Sequence, residues 1–197
     1  NKIPDFTHDE LTSLPSYLRD LIDLMGIIEY RVPVTEIDRR SKMGRYFYSD
    51  NFFRFYARYI YRNMSQYQSG QYAPLKKRIL QEWRAFSGWA FEEMVRTLLR
   101  EELSARYEHI GSWWNRRGDE IDLLALSSRG SLAIEIKNRE LSLFESQKIL
   151  ADLGKKIPRV KGLSGPVTLG LAARSIAGKE ILIEEGHFIR ELTDMGL

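Results

Sequence analysis

Two strands joined by a tight turn carry the residues of this chain that are best suited to chemistry. Residues 118–137 form two apolar segments separated by Ser-Ser-Arg-Gly, a composition typical of a hairpin turn. A turn centred on residues 128–129 places Asp122 opposite Glu135. Because side chains alternate along a strand, Lys137 lies on the same face as Glu135. The hairpin therefore predicts two carboxylates and an ammonium group on one surface.

The other face of this hairpin is predicted to belong to a core. Leu132, Ile134 and Ile136 alternate with the charged residues of the second strand and therefore point away from them. The same register pairs Glu120 with Lys137. A slip of one residue would move every side chain to the opposite face and separate the two carboxylates.

Two directly opposed carboxylates need a compensating charge. Their Cβ atoms lie about 4.5–5.5 Å apart in such a pair, and at that distance like charges repel and burial raises a pKa. Mg²⁺, or Mn²⁺ in its place, binds one or two carboxylates together with water and phosphate oxygens. Asp122 and Glu135 are therefore candidate metal ligands. Lys137 would stabilise negative charge that develops on a bound phosphate or on metal-bound water.

The same pattern also fits an edge hairpin that holds no metal. Its charged face would then lie in water, and Lys137 and Arg116 would neutralise the carboxylates. The residues of the hairpin leave both interpretations open.

The composition excludes several other kinds of site. None of the 197 residues is a cysteine, so the chain has no disulfide and no thiolate metal site. The three histidines, His8, His109 and His187, are far apart in the sequence, which argues against a histidine-rich zinc centre. No phosphate-binding loop of the Walker A type occurs. The net charge of +3 is compatible with a nucleic-acid partner without indicating one.

Neither end of the chain nor its hydropathy indicates a membrane or secretory protein. No apolar run approaches the roughly 18 residues that a membrane-spanning helix needs, and the N-terminus has no signal-peptide pattern. We therefore expect a cytoplasmic location without a membrane partner. Because the sequence begins at Asn1 without a methionine, we expect it to be a fragment of a longer protein.

The first elements are predicted to be a helix, a strand, a basic loop and a second strand. An amphipathic helix over residues 11–25 ends at Gly26, and strands follow at 27–34 and 45–49. This order is that of the second half of a winged helix, in which the helix enters the major groove and the loop contacts phosphates. The same elements could equally serve packing alone. The candidate DNA contacts are Arg19 on the helix and Arg39, Arg40 and Lys42 in the loop.

A helix rich in rings and arginines is predicted over residues 50–63, with Asp50 as its N-cap. One face carries aromatic rings, which we expect to pack in a core, and another carries arginines, which we expect to be solvated. The polar segment 65–74 is predicted to be a linker. The rings are those of Phe52, Phe55, Tyr56 and Tyr59, and the arginines are Arg54, Arg58 and Arg62.

From residue 71 the pattern is that of an α/β module, and the whole chain is predicted to be α+β. Residues 1–70 form the partial winged helix and the aromatic helix, and residues 71–197 form a domain with a central mixed sheet. The predicted helices are 75–86, 89–103 after an interruption at Ser87-Gly88, and 140–153; the predicted strands are 106–110, 121–126, 131–137, 166–172 and 180–183.

Several short motifs resemble one group of proteins. The hairpin resembles that of the PD-(D/E)XK, or restriction-endonuclease-like, superfamily. The whole chain resembles the C-terminal part of uncharacterised archaeal-type ATPases of the AAA class, which carry a winged helix and a nuclease-like domain after the ATPase module. The motifs are Arg-Tyr at 45–46, Ser-Asp-Asn-Phe-Phe-Arg-Phe at 49–55, Gly-Trp-Ala-Phe-Glu at 88–92, Gly-Ser-Trp-Trp-Asn-Arg at 111–116, Glu-Ile-Asp at 120–122 and Glu-Ile-Lys at 135–137.

The resemblance implies phosphodiester hydrolysis on DNA that depends on Mg²⁺ or Mn²⁺. Glu92 matches the acidic position of the first helix of the superfamily, and its neighbour Glu93 competes for that assignment. Asp122 and Glu135 match the metal ligands, and Lys137 matches the catalytic lysine. A non-catalytic DNA- or protein-binding module of the ATPase is the alternative function.

The resemblance also implies partners and further contacts. An ATPase module would lie upstream on the same polypeptide and bind ATP there, and an oligomer is compatible with this organisation. Gln147 and Lys148 occupy the helix where some relatives place a phosphate-contacting residue. The chain departs from its relatives at Ile121, where a proline is common, and at Asn138, where an aromatic residue is common. The densest basic run, which either follows a phosphate backbone or is a solvated loop, is Lys155, Lys156, Arg159 and Lys161.

Overall fold

The computed structural model describes residues 16–36 and 41–196. It is α+β, with a five-stranded mixed sheet and a smaller two-stranded antiparallel sheet, which confirms the predicted fold class. The chain forms two compact units. The first comprises Asn1–Arg31 and Gly44–Ile79, and the second comprises Val32–Met43 and Leu80–Leu197. None of the helices in the described part of the chain combines the length and the apolar character that a membrane crossing needs.

The first unit contains a short antiparallel strand pair. Strand β1 (Ile28–Arg31) pairs with β2 (Arg45–Tyr48), as the sequence predicts, although both strands are shorter than expected. The preceding helix is seen from Ser16 and ends in a π-helical turn, Asp20–Leu24, while residues 11–15 of the prediction lie outside the described residues.

Consecutive short helices follow the strand pair. Helix α1 (Asn51–Phe55) begins at the predicted N-cap, where the Asp50 carboxylate accepts a hydrogen bond from the backbone N–H of Phe52 at 2.5 Å. A π-helical turn (Tyr56–Ile60), a 3₁₀ turn (Tyr61–Asn63) and helix α2 (Met64–Gln68) continue the chain.

The prediction that all four rings of this segment lie in the core is wrong. Tyr59 is fully buried and Phe55 is half-buried, but Phe52 and Tyr56 are exposed. Phe52 and Tyr56 lie one helical turn apart, as do Phe55 and Tyr59, and the two pairs are offset around the helix axis, so one pair faces the interior while the other faces solvent.

The predicted linker at residues 65–74 is also wrong. Helix α2 occupies most of its first half, and helix α3 (Tyr72–Leu103) begins before its end. Pro74 falls in the first turn of α3, where a proline leaves no intrahelical hydrogen bond unmade. The chain reverses in a tight turn at Gly70, whose φ of 73° suits a residue without a Cβ.

The second unit is built on the five-stranded sheet, whose strands are adjacent in sequence order. Its strands β3, β4 and β5 pair antiparallel, and β5, β6 and β7 pair parallel. The strands are β3 (His109–Trp114), β4 (Glu120–Ser127), β5 (Gly130–Leu141), β6 (Val167–Ile176) and β7 (Phe188–Glu191).

The register of the central hairpin is confirmed. Leu123 lies opposite Ile134, and Ser127 lies opposite Gly130 across the predicted turn. One face of the sheet packs against α3, which contributes Phe91, Val95, Leu99 and Leu103. Leu132, Ile134 and Ile136 are buried in that core, as predicted.

The second face of the sheet packs against helix α4 (Leu143–Lys156). Leu150 and Leu153 of α4 are buried against β4, β5 and β6. The helix begins with a capping box, in which the Ser142 and Glu145 side chains bond each other's backbone N–H groups. Trp113 is buried on this face.

Three other predictions for the second unit need correction. Helix α3 passes through Ser87-Gly88 without a break, since Gly88 has open space around it and a single glycine only weakens a helix. The first strand begins at His109 rather than at Arg106.

The run 180–183 lies in helix α5 (Lys179–Glu184), of which only Leu182 is buried, and the strand follows at β7. A short apolar run cannot distinguish a strand from a helix by periodicity.

Replacement of glycine by alanine at two positions tests the packing of the sheet and of α3. A Cβ at Gly170 would lie 2.9 Å from the Phe188 carbonyl oxygen and 3.0 Å from Ile134 Cγ1, whereas a Cβ at Gly88 would contact nothing. We expect Gly170→Ala to lower the free energy of unfolding by about 1–3 kcal/mol and Gly88→Ala to raise it by about 1 kcal/mol. Urea denaturation of both variants measures these changes. Equal stability of the two variants would contradict this packing.

Candidate active site

The central hairpin brings together the predicted carboxylates and the predicted lysine. The Lys137 Nζ lies 2.7 Å from Glu135 Oε2 and 3.4 Å from Asp122 Oδ2. Glu135 is buried, and Asp122 and Lys137 are half-buried. We call the side chains of Glu92, Asp122, Glu135 and Lys137 the carboxylate cluster.

Hydrogen bonds hold both the side chain and the backbone of Asp122 in place. Its Oδ2 accepts a hydrogen bond from the Ile136 backbone N–H at 2.8 Å. Its backbone carbonyl accepts from Arg96 Nε at 2.9 Å and from Ser112 Oγ at 3.1 Å. These bonds tie β4 to β5, to α3 and to β3 at the position where the carboxylate stands.

Helix α3 contributes the remaining acid of the cluster. Burial, followed by the charge of Asp122, raises the pKa of Glu92, while Lys137 acts in the opposite direction. The carboxylate of Glu93 instead bonds the Arg96 guanidinium. The pKa of Glu92 therefore responds to the charges of Asp122 and Lys137, and Glu93 pairs with Arg96.

A second lysine, which the sequence analysis does not assign to the site, also contacts Glu135. The Lys156 Nζ lies 2.6 Å from Glu135 Oε1 and 2.7 Å from the Glu120 carbonyl oxygen. Each oxygen of the Glu135 carboxylate therefore has its own lysine. The sequence does carry a signal for this contact. Leu150 and Leu153 face the sheet, and Lys156, three positions after Leu153, lies on the same face of α4.

The electrostatics of the cluster differ from one carboxyl group to the next. Burial raises the pKa of Asp122, and the charge of Glu135 raises it further. Burial also acts to raise the pKa of Glu135, but Lys137 and Lys156 outweigh it, so that this pKa is lowered. Burial opposes the charge of Lys137, yet Asp122 and Glu135 prevail and raise its pKa. The site therefore holds Lys137 protonated and Glu135 ionised.

The donor set of the cluster fits a hard divalent cation. Within residues 16–36 and 41–196, no three Asp, Glu or His side chains stand together as a ready-formed metal centre, and lysines engage the carboxylate oxygens. Mg²⁺ needs only one or two carboxylates because water and phosphate oxygens complete its shell. Asp122 and Glu135, which share the ammonium group of Lys137, supply that number.

The predicted DNA-contacting residues lie outside the carboxylate cluster. Arg19 is exposed in the helical segment before β1, and Lys42 is exposed in the turn before β2. Gln147 Nε2 donates to Glu185 Oε1 at 3.3 Å, and Lys148 is exposed on α4. Arg39 and Arg40 fall outside the described residues.

The chain has recognisable relatives in part of its length. Residues 56–149 match the family DUF234, which is described as archaea bacterial proteins of unknown function. A Methanocaldococcus jannaschii protein called "Uncharacterized protein MJECL04" is 36% identical over 158 residues, which are 77% of this chain. The chain spans about a third, 34%, of that relative's length. No solved structure was found to match the chain. All of the carboxylate cluster lies within the matched residues, whereas Lys156 lies beyond the family match.

The opposite pKa shifts of two aspartates predict opposite effects of the same substitution. The raised pKa of Asp122 means that its ionised form destabilises the fold, an effect that grows as the pH rises above the ordinary value of 3.8. Asn115 and Arg159 lower the pKa of Asp119, which therefore stabilises the fold above that pH and loses this effect as the pH falls through its folded pKa. In EDTA at neutral pH we expect Asp122→Asn to raise the thermal midpoint and Asp119→Asn to lower it. A lower midpoint for Asp122→Asn would contradict this description of the cluster.

Proposed function

We propose that this chain carries a Mg²⁺-dependent phosphodiesterase site that hydrolyses DNA. The observation that supports the proposal is the contact of two strand carboxylates, Asp122 and Glu135, with the ammonium group of Lys137. Hard oxygen ligands beside a fixed cation are the groups that phosphodiester hydrolysis needs, since the attacked phosphate is an anion. The resemblance to the PD-(D/E)XK superfamily supports the same chemistry and names the same residues.

Each member of the cluster has a role in this proposal. Asp122 and Glu135 bind the divalent ion, and Glu92 assists from α3. A bound divalent ion supplies an activated water and neutralises charge on the phosphate. Lys137 positions the attacking water and donates hydrogen bonds to the phosphate as negative charge develops there. Asp122 and Glu135 raise the pKa of Lys137, which favours its role as a cation and a hydrogen-bond donor.

The proposal includes the larger protein to which the chain would belong. Residues 1–70 are taken as the winged-helix-like part and residues 71–197 as the nuclease-like domain of an archaeal-type ATPase, in the cytoplasm and with the ATPase module upstream. Only a third of the length of the Methanocaldococcus jannaschii relative is matched, which leaves room for such a module in that protein. Arg19, Arg39, Arg40 and Lys42 would contact phosphates.

Cleavage of plasmid and oligonucleotide DNA in Mg²⁺ or Mn²⁺ tests the proposal. We expect Asp122→Ala and Lys137→Met each to lower the cleavage rate by about 10²–10³-fold, because each removes a group that acts on the transition-state charge. Asp152→Ala, an exposed acid on α4, is the matched control and should cleave normally. Absence of metal-dependent cleavage, or equal cleavage by Asp122→Ala, would refute the proposal.

The two neighbouring acids of α3 provide a sharper test. Glu92→Gln should lower the rate because it removes a charge coupled to Asp122, whereas Glu93→Gln removes a carboxylate that pairs with Arg96. The rate of each variant under saturating Mg²⁺, with the helical content checked by circular dichroism, measures the difference. A larger loss of rate for Glu93→Gln would show that Glu93, and not Glu92, is the acid that α3 contributes to the site.

A non-catalytic DNA- or protein-binding module is the second candidate. The observation that favours it is the occupation of both Glu135 oxygens by lysines, which neutralises that carboxylate without a metal. This function predicts DNA binding that weakens with salt and survives Asp122→Ala, in the absence of any cleavage. DNA binding that ignores salt would exclude the DNA-binding form of this alternative.

A further inference from the structure

Three aromatic rings form an exposed row on the first unit. Phe52, Tyr56 and Tyr61 are 67%, 38% and 67% exposed. The Phe52 and Tyr56 ring centroids are 6.3 Å apart with nearly parallel planes, and those of Tyr56 and Tyr61 are 6.5 Å apart. We call these three side chains the ring row. Large exposed rings next to one another mark an interaction surface more often than an inert one.

The core of this unit does not require the ring row. Tyr59, on the same segment, is fully buried and faces the interior, with the half-buried Phe55 ring 5.1 Å from it. Phe52, Tyr56 and Tyr61 are instead exposed to solvent. The ring row therefore remains available to a partner.

The segment that carries the ring row has an excess of positive charge. Residues 44–79 contain seven lysines and arginines against one acid, Asp50, and eleven aromatic residues. The Asp50 carboxylate caps helix α1. Protein interfaces are depleted of charged residues at their centres. A surface with an excess of positive charge instead favours a polyanion as its partner. The cations are Arg45, Arg54, Arg58, Arg62, Lys76, Lys77 and Arg78.

We propose that the ring row and the surrounding cations bind single-stranded nucleic acid. Unpaired bases expose flat faces that stack on aromatic side chains, while their phosphates meet lysines and arginines. A duplex hides these faces between its own base pairs, so rings favour the unpaired form. This surface lies in the first unit and includes none of the residues assigned to the carboxylate cluster. It goes beyond the proposed cleavage and does not depend on it.

Fluorescence anisotropy with the full 197-residue chain tests the proposal. The probe is a labelled oligo-deoxythymidine of about 16 nucleotides, the upper site size of one small binding fold, compared with oligo-uridine and with a duplex of equal length. EDTA in the buffer prevents metal-dependent cleavage, so failure of this proposal and failure of the nuclease proposal are distinguishable. We expect the single strands to bind more tightly than the duplex.

The variant that tests the ring row is Phe52→Ala/Tyr61→Ala. Both side chains are mostly exposed, so the fold should persist, which circular dichroism checks. We expect binding roughly 5- to 150-fold weaker for each base stack lost. Phe144→Ala is the matched control, because Phe144 is 76% exposed on α4, outside the ring row. Its affinity should equal that of the unmodified chain.

The cations are tested by the dependence of affinity on salt. Lys76→Gln/Lys77→Gln should reduce the slope of log affinity against log salt by about 0.7 for each phosphate contact removed. Unchanged single-strand affinity in the ring variant, or tighter binding of the duplex, would overturn the proposal. So would a ring variant that changes only the oligomeric state in light scattering, since the surface would then join copies of the chain.

Discussion

The Glu135 carboxylate, buried between two lysines, is the interaction on which the candidate site depends. A charge removed from water is unfavourable unless it is paired and hydrogen-bonded. Lys137 on the same strand meets one oxygen, and Lys156 on α4 meets the other. Lys156 also bonds the Glu120 carbonyl oxygen, so that a single ammonium group joins the last turn of α4 to the beginning of β4. The neutralisation of one acid therefore fixes the relation between three elements of the second unit.

Strand alternation allows the same hairpin to serve both stability and chemistry. The side chains of Leu132, Ile134 and Ile136 pack against α3, while Glu135 and Lys137 face the other way. Any shift of register would transfer charge into the core and apolar groups into the site, so the packing of one face enforces the arrangement on the other. A cluster of like charges can be kept in place by this route although its own repulsion opposes it.

Most of the hairpin could be predicted from the sequence because its determinants are local. A two-residue turn and a period of two are enough to fix the register and the core face. The contact of Lys156 with Glu135 could not be predicted from the hairpin alone, since it depends on how α4 packs on the sheet. The apolar run in α5 was misassigned because a short apolar segment satisfies both helix and strand patterns. The polar start of α3 was misassigned because Gly70 and Pro74 are typical of a linker, although a proline is also tolerated in the first turn of a helix.

Arg96 joins the helix and the strand that carry two of the acids of the carboxylate cluster. Its guanidinium holds the Glu93 carboxylate on α3 and, through Nε, the backbone carbonyl of Asp122 on β4. Glu92 and Asp122 come from distant parts of the chain, yet the bond from Arg96 Nε to the Asp122 carbonyl oxygen ties the helix that carries one acid directly to the strand that carries the other. A substitution that removes this guanidinium would therefore alter the position of Asp122 relative to Glu92 without touching either carboxylate.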